Sequence, residues 1–287
     1  MKMNVFLPLL LAAAMHLAMG CDKPIKHYEA LGCSPSCRRI SKGCPASFTC
    51  PHLDNPAADK CYFLGKAYSP GDEVPFELLL DEETNGLCYD AASCLITYDT
   101  PNITIAMGST GCNSIGQIPV FPLPVCVSQY KTDSCCPVKK VCDSDIADLA
   151  TCTLAGQDYK EGEKMPVPGN PCKKCICTPG FDETQIDGNP NCFERKCLHE
   201  VSDGQPAYYG AIPVYRTNEC CPVTWRMPKP TDRVVKGRPY CSADATMICK
   251  YGNLTLDAGD SLEPFSENGK MYDCKCAVPP LMHCIET

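Results

Sequence analysis

The chain has 287 residues, a formal charge of −8 at neutral pH and a pI near 5.2, which excludes the clustered basic surface that nucleic-acid binding needs. Cysteine supplies 26 residues and proline 27, each about 9% of the chain, against 8% aromatics and one tryptophan, Trp225, so the fold must rest on staples and not on one large core. An apolar content of 44% alongside so much cysteine excludes intrinsic disorder.

Residues 1–20 read as a secretion signal. Lys2 supplies the positive start, Val5 to Leu17 is apolar except for His16, and Ala18 and Gly20 fit the small positions of a peptidase site. The apolar run falls short of the roughly 20 residues that span a bilayer. Cleavage after Gly20 would keep all 26 cysteines, an even number that permits full pairing. The expected product is secreted, extracellular, soluble and without a membrane anchor, in a compartment where thiols pair as disulfides.

Internal repetition organises the remainder of the chain. Cys61, Cys152 and Cys249 each open a similar run, with a glycine ten residues later at Gly71, Gly162 and Gly259, and a proline shortly after at Pro75, Pro166 and Pro264. Cys135-Cys136-Pro137-Val138 closes the first copy and Cys220-Cys221-Pro222-Val223 the second. The cysteines then partition as five in residues 21–50, eight in 61–142, eight in 152–221 and five in 241–284. Both flanking groups are odd: either a bridge joins segments or the boundaries fall one cysteine off.

Local pattern places short strands in each opening. Tyr62-Phe63-Leu64 and Lys66-Ala67-Tyr68 alternate about Gly65. Leu95–Tyr98 and Ile103–Met107 form a second expected pair about Thr100-Pro101-Asn102, and Asp143–Leu149 is expected to make one helical turn as a linker. No apolar stripe of helical period persists beyond the signal. The fold class is therefore small, disulfide-rich and mainly β, a string of loop-rich modules with short antiparallel strands.

The run Cys172-Lys173-Lys174-Cys175-Ile176-Cys177, followed by Cys192, Cys197 and Cys220-Cys221-Pro222, resembles the von Willebrand factor type C module, whose hallmark is CxxCxC early and CCP late. Cys152, Gly156 and Tyr159 match the family's opening, and eight cysteines resemble the single-domain variant of arthropod secreted proteins. The resemblance divides the chain into a signal (1–20), a partial module like a C-terminal half (21–60), a module (61–142), a linker (143–151), a module (152–240) and a partial module like an N-terminal half (241–287). In 61–142, Cys88 and Cys94 replace the CxxCxC core. In 21–50, Gly43-Cys44-Pro45 resembles the CCP ending with one cysteine lost.

The candidate site residues are structural. Disulfide bonds, with partners open, are expected at Cys61, Cys88, Cys94, Cys112, Cys126, Cys135, Cys136, Cys142, Cys152, Cys172, Cys175, Cys177, Cys192, Cys197, Cys220, Cys221, Cys249, Cys274, Cys276 and Cys284. Asn102-Ile103-Thr104 and Asn253-Leu254-Thr255 are acceptors for N-glycosylation. Cys172-x-x-Cys175 could hold zinc, but no second pair completes a tetrahedral site, and oxidised cysteines cannot ligate. His27, His52, His199 and His283 are scattered and no catalytic motif accompanies them. No enzyme activity, metal or cofactor is expected. Trp225, Met227 and the run Ile118–Val125 either face a partner or cover a poor core.

Family members such as chordin bind bone morphogenetic proteins, related growth factors or matrix proteins. The resemblance therefore implies a secreted glycoprotein that binds an extracellular protein ligand, with neither nucleic acid nor membrane as partner. The alternatives are a secreted serine-protease inhibitor, a structural matrix or cuticle component, and a humoral defence factor.

Overall fold

The computed structural model describes residues 23–36, 44–54, 56–75, 87–96, 103–112, 124–197, 206–238 and 247–287. Within them the chain is mainly β, in short and mostly antiparallel strands held by disulfides. The N-terminal segment contains helix α1 (Lys26–Ala30), strands β1 (Ser34–Pro35) and β2 (Phe48–Thr49), and helix α2 (Pro51–Asp54). The next carries β3 (Cys61–Phe63), β4 (Lys66–Tyr68), β5 (Leu87–Ile96), β6 (Ile103–Gly111), β7 (Cys126–Gln129) and β8 (Lys139–Cys142), each consecutive pair a hairpin. The expected linker turn is a 3-10 helix over Asp143–Asp148.

The second module begins with the hairpin β9 (Thr151–Leu154) and β10 (Gln157–Lys160), then a three-stranded sheet of β11 (Lys164–Pro166), β12 (Lys173–Ile176) and β13 (Cys192–Glu194). After it come β14 (Ile212–Arg216), β15 (Thr224–Arg226) and β16 (Val234–Val235). The last segment carries β17 (Ile248–Tyr251), β18 (Leu254–Asp257), β19 (Ser261–Leu262), β20 (Phe265–Glu267), β21 (Lys270–Val278) and β22 (Leu281–Glu286).

The three openings are the same object. Each is a hairpin with a two-residue turn: Leu64-Gly65, Ala155-Gly156 and Gly252-Asn253. In the first two, both turn residues have positive φ (48° and 73°, 51° and 80°), the turn whose twist matches that of the strands. The glycine ten residues after each opening cysteine then starts a short ladder with the strand that carries the cysteine's partner. Gly71, Gly162 and Gly259 N–H groups donate to the carbonyls of Cys94, Cys177 and Cys276, whose own N–H groups donate back to Asp72, Glu163 and Asp260. Gly162 is also a point of close approach. Its φ is +85°, and a Cβ there would lie 2.6 Å from that of Gln129, beside the bond from Tyr130 N–H to Gly162 O that docks the first module on the second.

Each module encloses a small core of its own. Phe63, Tyr68, Val74 and Ile105 gather about Cys61 and Cys94 in the first, and Leu154 and Met165 about Cys152, Cys175 and Cys177 in the second. The largest core spans two segments, because β14 pairs in parallel with β22, Val214 opposite Cys284. One sheet thus runs β15-β14-β22-β21-β19-β16 across position 240, with β20 also on β21, and buries Ile212, Val214, Tyr251, Leu256, Leu262 and Met282. Short strands bury too little apolar surface to hold unaided. Cystines supply the remainder.

Candidate functional site

The cysteines named from the sequence are all paired, and the pairing repeats. The second module has Cys152–Cys177, Cys172–Cys220, Cys175–Cys192 and Cys197–Cys221. The first has Cys61–Cys94, Cys88–Cys135 and Cys112–Cys136 in the same order, plus Cys126–Cys142 about the closing hairpin. The last segment keeps Cys249–Cys276 and Cys274–Cys284, counterparts of Cys152–Cys177 and Cys175–Cys192. In the N-terminal segment Cys33 pairs with Cys50, and Cys44 is also disulfide-bonded.

The register explains where the first module departs from CxxCxC. Cys175 faces Cys192 across β12 and β13, and Ala92 faces Met107 at the matching place on β5 and β6. Ala92 is buried and Met107 packs against the same core. A β-bulge between Tyr89 and Ala91 takes up the one extra residue that separates Cys88 from this position. Apolar packing has replaced one cystine.

Two clusters bring three sulfurs within 4.8 Å of one another: Cys88, Cys112 and Cys136, and Cys197, Cys220 and Cys221. They lie at the adjoining cystines of the two CCP endings. Every sulfur in them is bonded to another sulfur, whereas a metal needs the thiolate. The acids that follow the opening glycines escape a reading based on cysteine alone. Asp72 Oδ2, Glu163 Oε2 and Asp260 Oδ2 accept from the backbone N–H of Ser69, Lys160 and Asp257 at 2.7, 2.6 and 2.9 Å. Their signal was an acid directly after each of the three glycines.

One row of exposed apolar side chains lies along β15, at the edge of the large sheet. Val223, Trp225 and Met227 alternate onto one side, with Val223 37% and Met227 52% exposed and Trp225 half-buried opposite Pro213. Arg226 points to the other side, where it is buried. Its Nη1 and Nη2 donate to Asp232 Oδ2 and Oδ1 at 3.0 and 2.5 Å, Nη1 also donates to the Tyr251 hydroxyl, and the guanidinium lies 4.1 Å from the Phe265 ring centre. Phe265 in turn stacks on Tyr272. Burial pushes the Tyr251 hydroxyl up to about 12. It donates to Met227 O at 2.8 Å.

Beside the Arg226–Asp232 pair opens a cleft of about 350 Å³, lined by Phe265, Lys229, Asp232, Arg233, Glu263 and Glu267. Lys229 Nζ reaches both Glu267 carboxylate oxygens at 2.9 Å. Burial would raise the Asp232 carboxyl, but the Arg226 guanidinium and the Lys229 N–H outweigh it and hold the group below its ordinary value. The cleft is therefore lined by charges of both signs and an aromatic ring.

Of the remaining expected sites, Asn253 and Thr255 are both exposed at the β17–β18 turn. Asn102, His199 and residues 118–123 lie outside the described residues, while Val125 is 73% exposed. His27 is buried with Nδ1 2.8 Å from the Tyr215 hydroxyl, His52 stands against the Tyr62 ring, and His283 is buried on β22. Among the described residues no helix is long and apolar enough to cross a membrane. The many disulfides are consistent with an extracellular setting. No family model matches the chain, and no solved structure matches it.

Proposed function

We propose that the protein is a secreted, non-enzymatic binding protein of tandem modules like those of von Willebrand factor type C. Its ligand on this reading is another extracellular protein, a growth factor of the bone morphogenetic protein and TGF-β type or a matrix component. The observation that carries the reading is edge strand β15, which sets Val223, Trp225 and Met227 on a frame fixed by cystines. Trp is among the side chains that most often dominate protein interfaces, and Met adapts to irregular partner surfaces. A frame held by Cys172–Cys220 and Cys197–Cys221 loses little conformational freedom on binding. Repetition of modules adds affinity when two sites engage one ligand, as a dimeric growth factor allows.

The test is binding of the purified, oxidised protein to a panel of immobilised growth-factor dimers and matrix proteins at physiological salt. Saturable, submicromolar binding to one subset is expected. Trp225→Ala should weaken it at least about tenfold, the loss of a typical anchor. Silence across the panel, with stoichiometric inhibition of trypsin, chymotrypsin or elastase instead, would overturn the proposal.

A further inference from the structure

Asn253 stands at the tip of the β17–β18 hairpin, where the fold sorts its neighbours by side. Leu254 and Leu256 pack into the core of the large sheet. Asn253 and Thr255, the two side chains that define an N-glycosylation acceptor, are both exposed. Leu254 lies opposite Tyr251, which makes Gly252-Asn253 the two-residue turn. Gly252 has a φ of +57°, and a Cβ there would lie 2.8 Å from that of Pro228. The tip is therefore seated against Pro228, the residue that follows Met227.

A second contact fixes the hairpin at the same place, since the Tyr251 hydroxyl donates to Met227 O at 2.8 Å. Tyr251 lies on the Arg226 side of β15, and from there Gly252 and Asn253 come out beyond Arg226, where the strand ends. Met227 is the member of the apolar row nearest to this tip and is 52% exposed. At ~3.3 Å per residue, Trp225 lies roughly 7 Å and Val223 roughly 13 Å farther along the chain.

We propose that Asn253 carries an N-linked glycan that covers the Met227 end of the β15 row and leaves the Trp225 and Val223 end open to the ligand. This rests on the secreted, binding function proposed above. The donor is an oligosaccharide on a polyprenyl diphosphate. Its anomeric carbon bonds to Asn253 Nδ2, the bond from that carbon to the diphosphate oxygen breaks, the polyprenyl diphosphate leaves with the electron pair, and one carboxamide proton passes to solvent. The product is a bulky, hydrophilic group rooted on a rigid hairpin, and it limits contact with Met227 before any partner arrives.

The test expresses the full chain in a eukaryotic host, with Asn102→Gln so that Asn253 is the acceptor under study, and collects it from the medium. Release by peptide N-glycosidase converts a glycosylated asparagine to aspartate, and the peptide that carries Asn253 should show that mass change. Asn253→Gln and Thr255→Ala should each abolish it. Hydroxyl-radical labelling then reads the cover. Met227 and Met271 are similarly exposed, at 52% and 46%, so they should label alike in both glycan-free variants, whereas the glycan should slow Met227 alone. Met227→Ala should weaken ligand binding in the Asn253→Gln protein and leave binding by the glycosylated protein unchanged. A bare Asn253 in the secreted protein overturns the site. Equal labelling of Met227 and Met271 under the glycan overturns the cover, and so does a Met227→Ala loss that is the same with and without it. Silence across the growth-factor and matrix panel overturns the proposed binding function alone, because mass change and labelling are read without ligand.

Discussion

His283 carries a pH dependence that its position on β22 dictates. Burial, helped by the charge of Lys23, pushes its pKa down to about 4 from an ordinary 6.5, so the folded protein keeps the ring neutral while the unfolded chain protonates it. Stability contributed by this site is intact above pH 6.5 and falls as the pH drops towards 4, by about 3 kcal/mol in all at 1.36 kcal/mol per unit. Denaturant titrations from pH 7 to 4 should show that slope, and His283→Gln should flatten it. Asp232 acts lower on the scale. Its pair with Arg226 stabilises the fold above the ordinary carboxylate value of 3.8 and loses that effect as the pH falls below it. Asp232→Asn leaves a buried guanidinium without its counter-charge, which typically costs 3–5 kcal/mol. The variant should lower the unfolding midpoint at pH 7, and a midpoint unchanged from wild type would show the pair to be solvated.

At the scale of elements, the β5–β6 and β12–β13 hairpins present the same site with different chemistry. Ala92 and Met107 occupy the register positions of Cys175 and Cys192, so Ala92→Cys combined with Met107→Cys should form a further bond. Closing a loop of roughly 15 residues stabilises by about 3 kcal/mol. Denaturant midpoints of the double variant against both single variants measure it, and a double variant whose new thiols stay free would refute the equivalence. This correspondence marks the limit of what the sequence shows. Glycines ten residues after Cys61, Cys152 and Cys249 made the three openings legible, because each starts its ladder at a φ of 93°, 85° or 107°, a backbone conformation that glycine adopts without strain. The Cys-Cys-Pro endings likewise marked the closing hairpins. A cystine replaced by alanine and methionine leaves no trace in spacing, and the bulge at Tyr89–Ala91 shifts the count by one residue. Nor could alternation show that β14 lies parallel to β22, since pairing between distant strands depends on tertiary packing.

For the whole molecule, the large sheet and not the repeat boundaries decides which parts unfold together. β14 has β15 on one side and β22 on the other, and Ile212 and Val214 are buried against a core built mostly from residues after 247. Each such side chain contributes about 1.5–3 kcal/mol through burial, so β14 and β15 cannot keep their place without the last segment. The sheet of β11, β12 and β13 has its own core and its own bonds, Cys152–Cys177 and Cys175–Cys192. A chain ending at residue 240 should therefore keep slow amide exchange at Met165, Cys175 and Cys177 while Val214 and Tyr215 exchange near the unfolded rate. It should also lose the proposed ligand binding, although Trp225 is still present, because the edge strand that orients Trp225 would have lost its sheet. Slow exchange at Val214 in that shortened chain would show instead that the closing hairpin stands on Cys172–Cys220 and Cys197–Cys221 alone, and the proposed binding surface would then belong to the second module by itself.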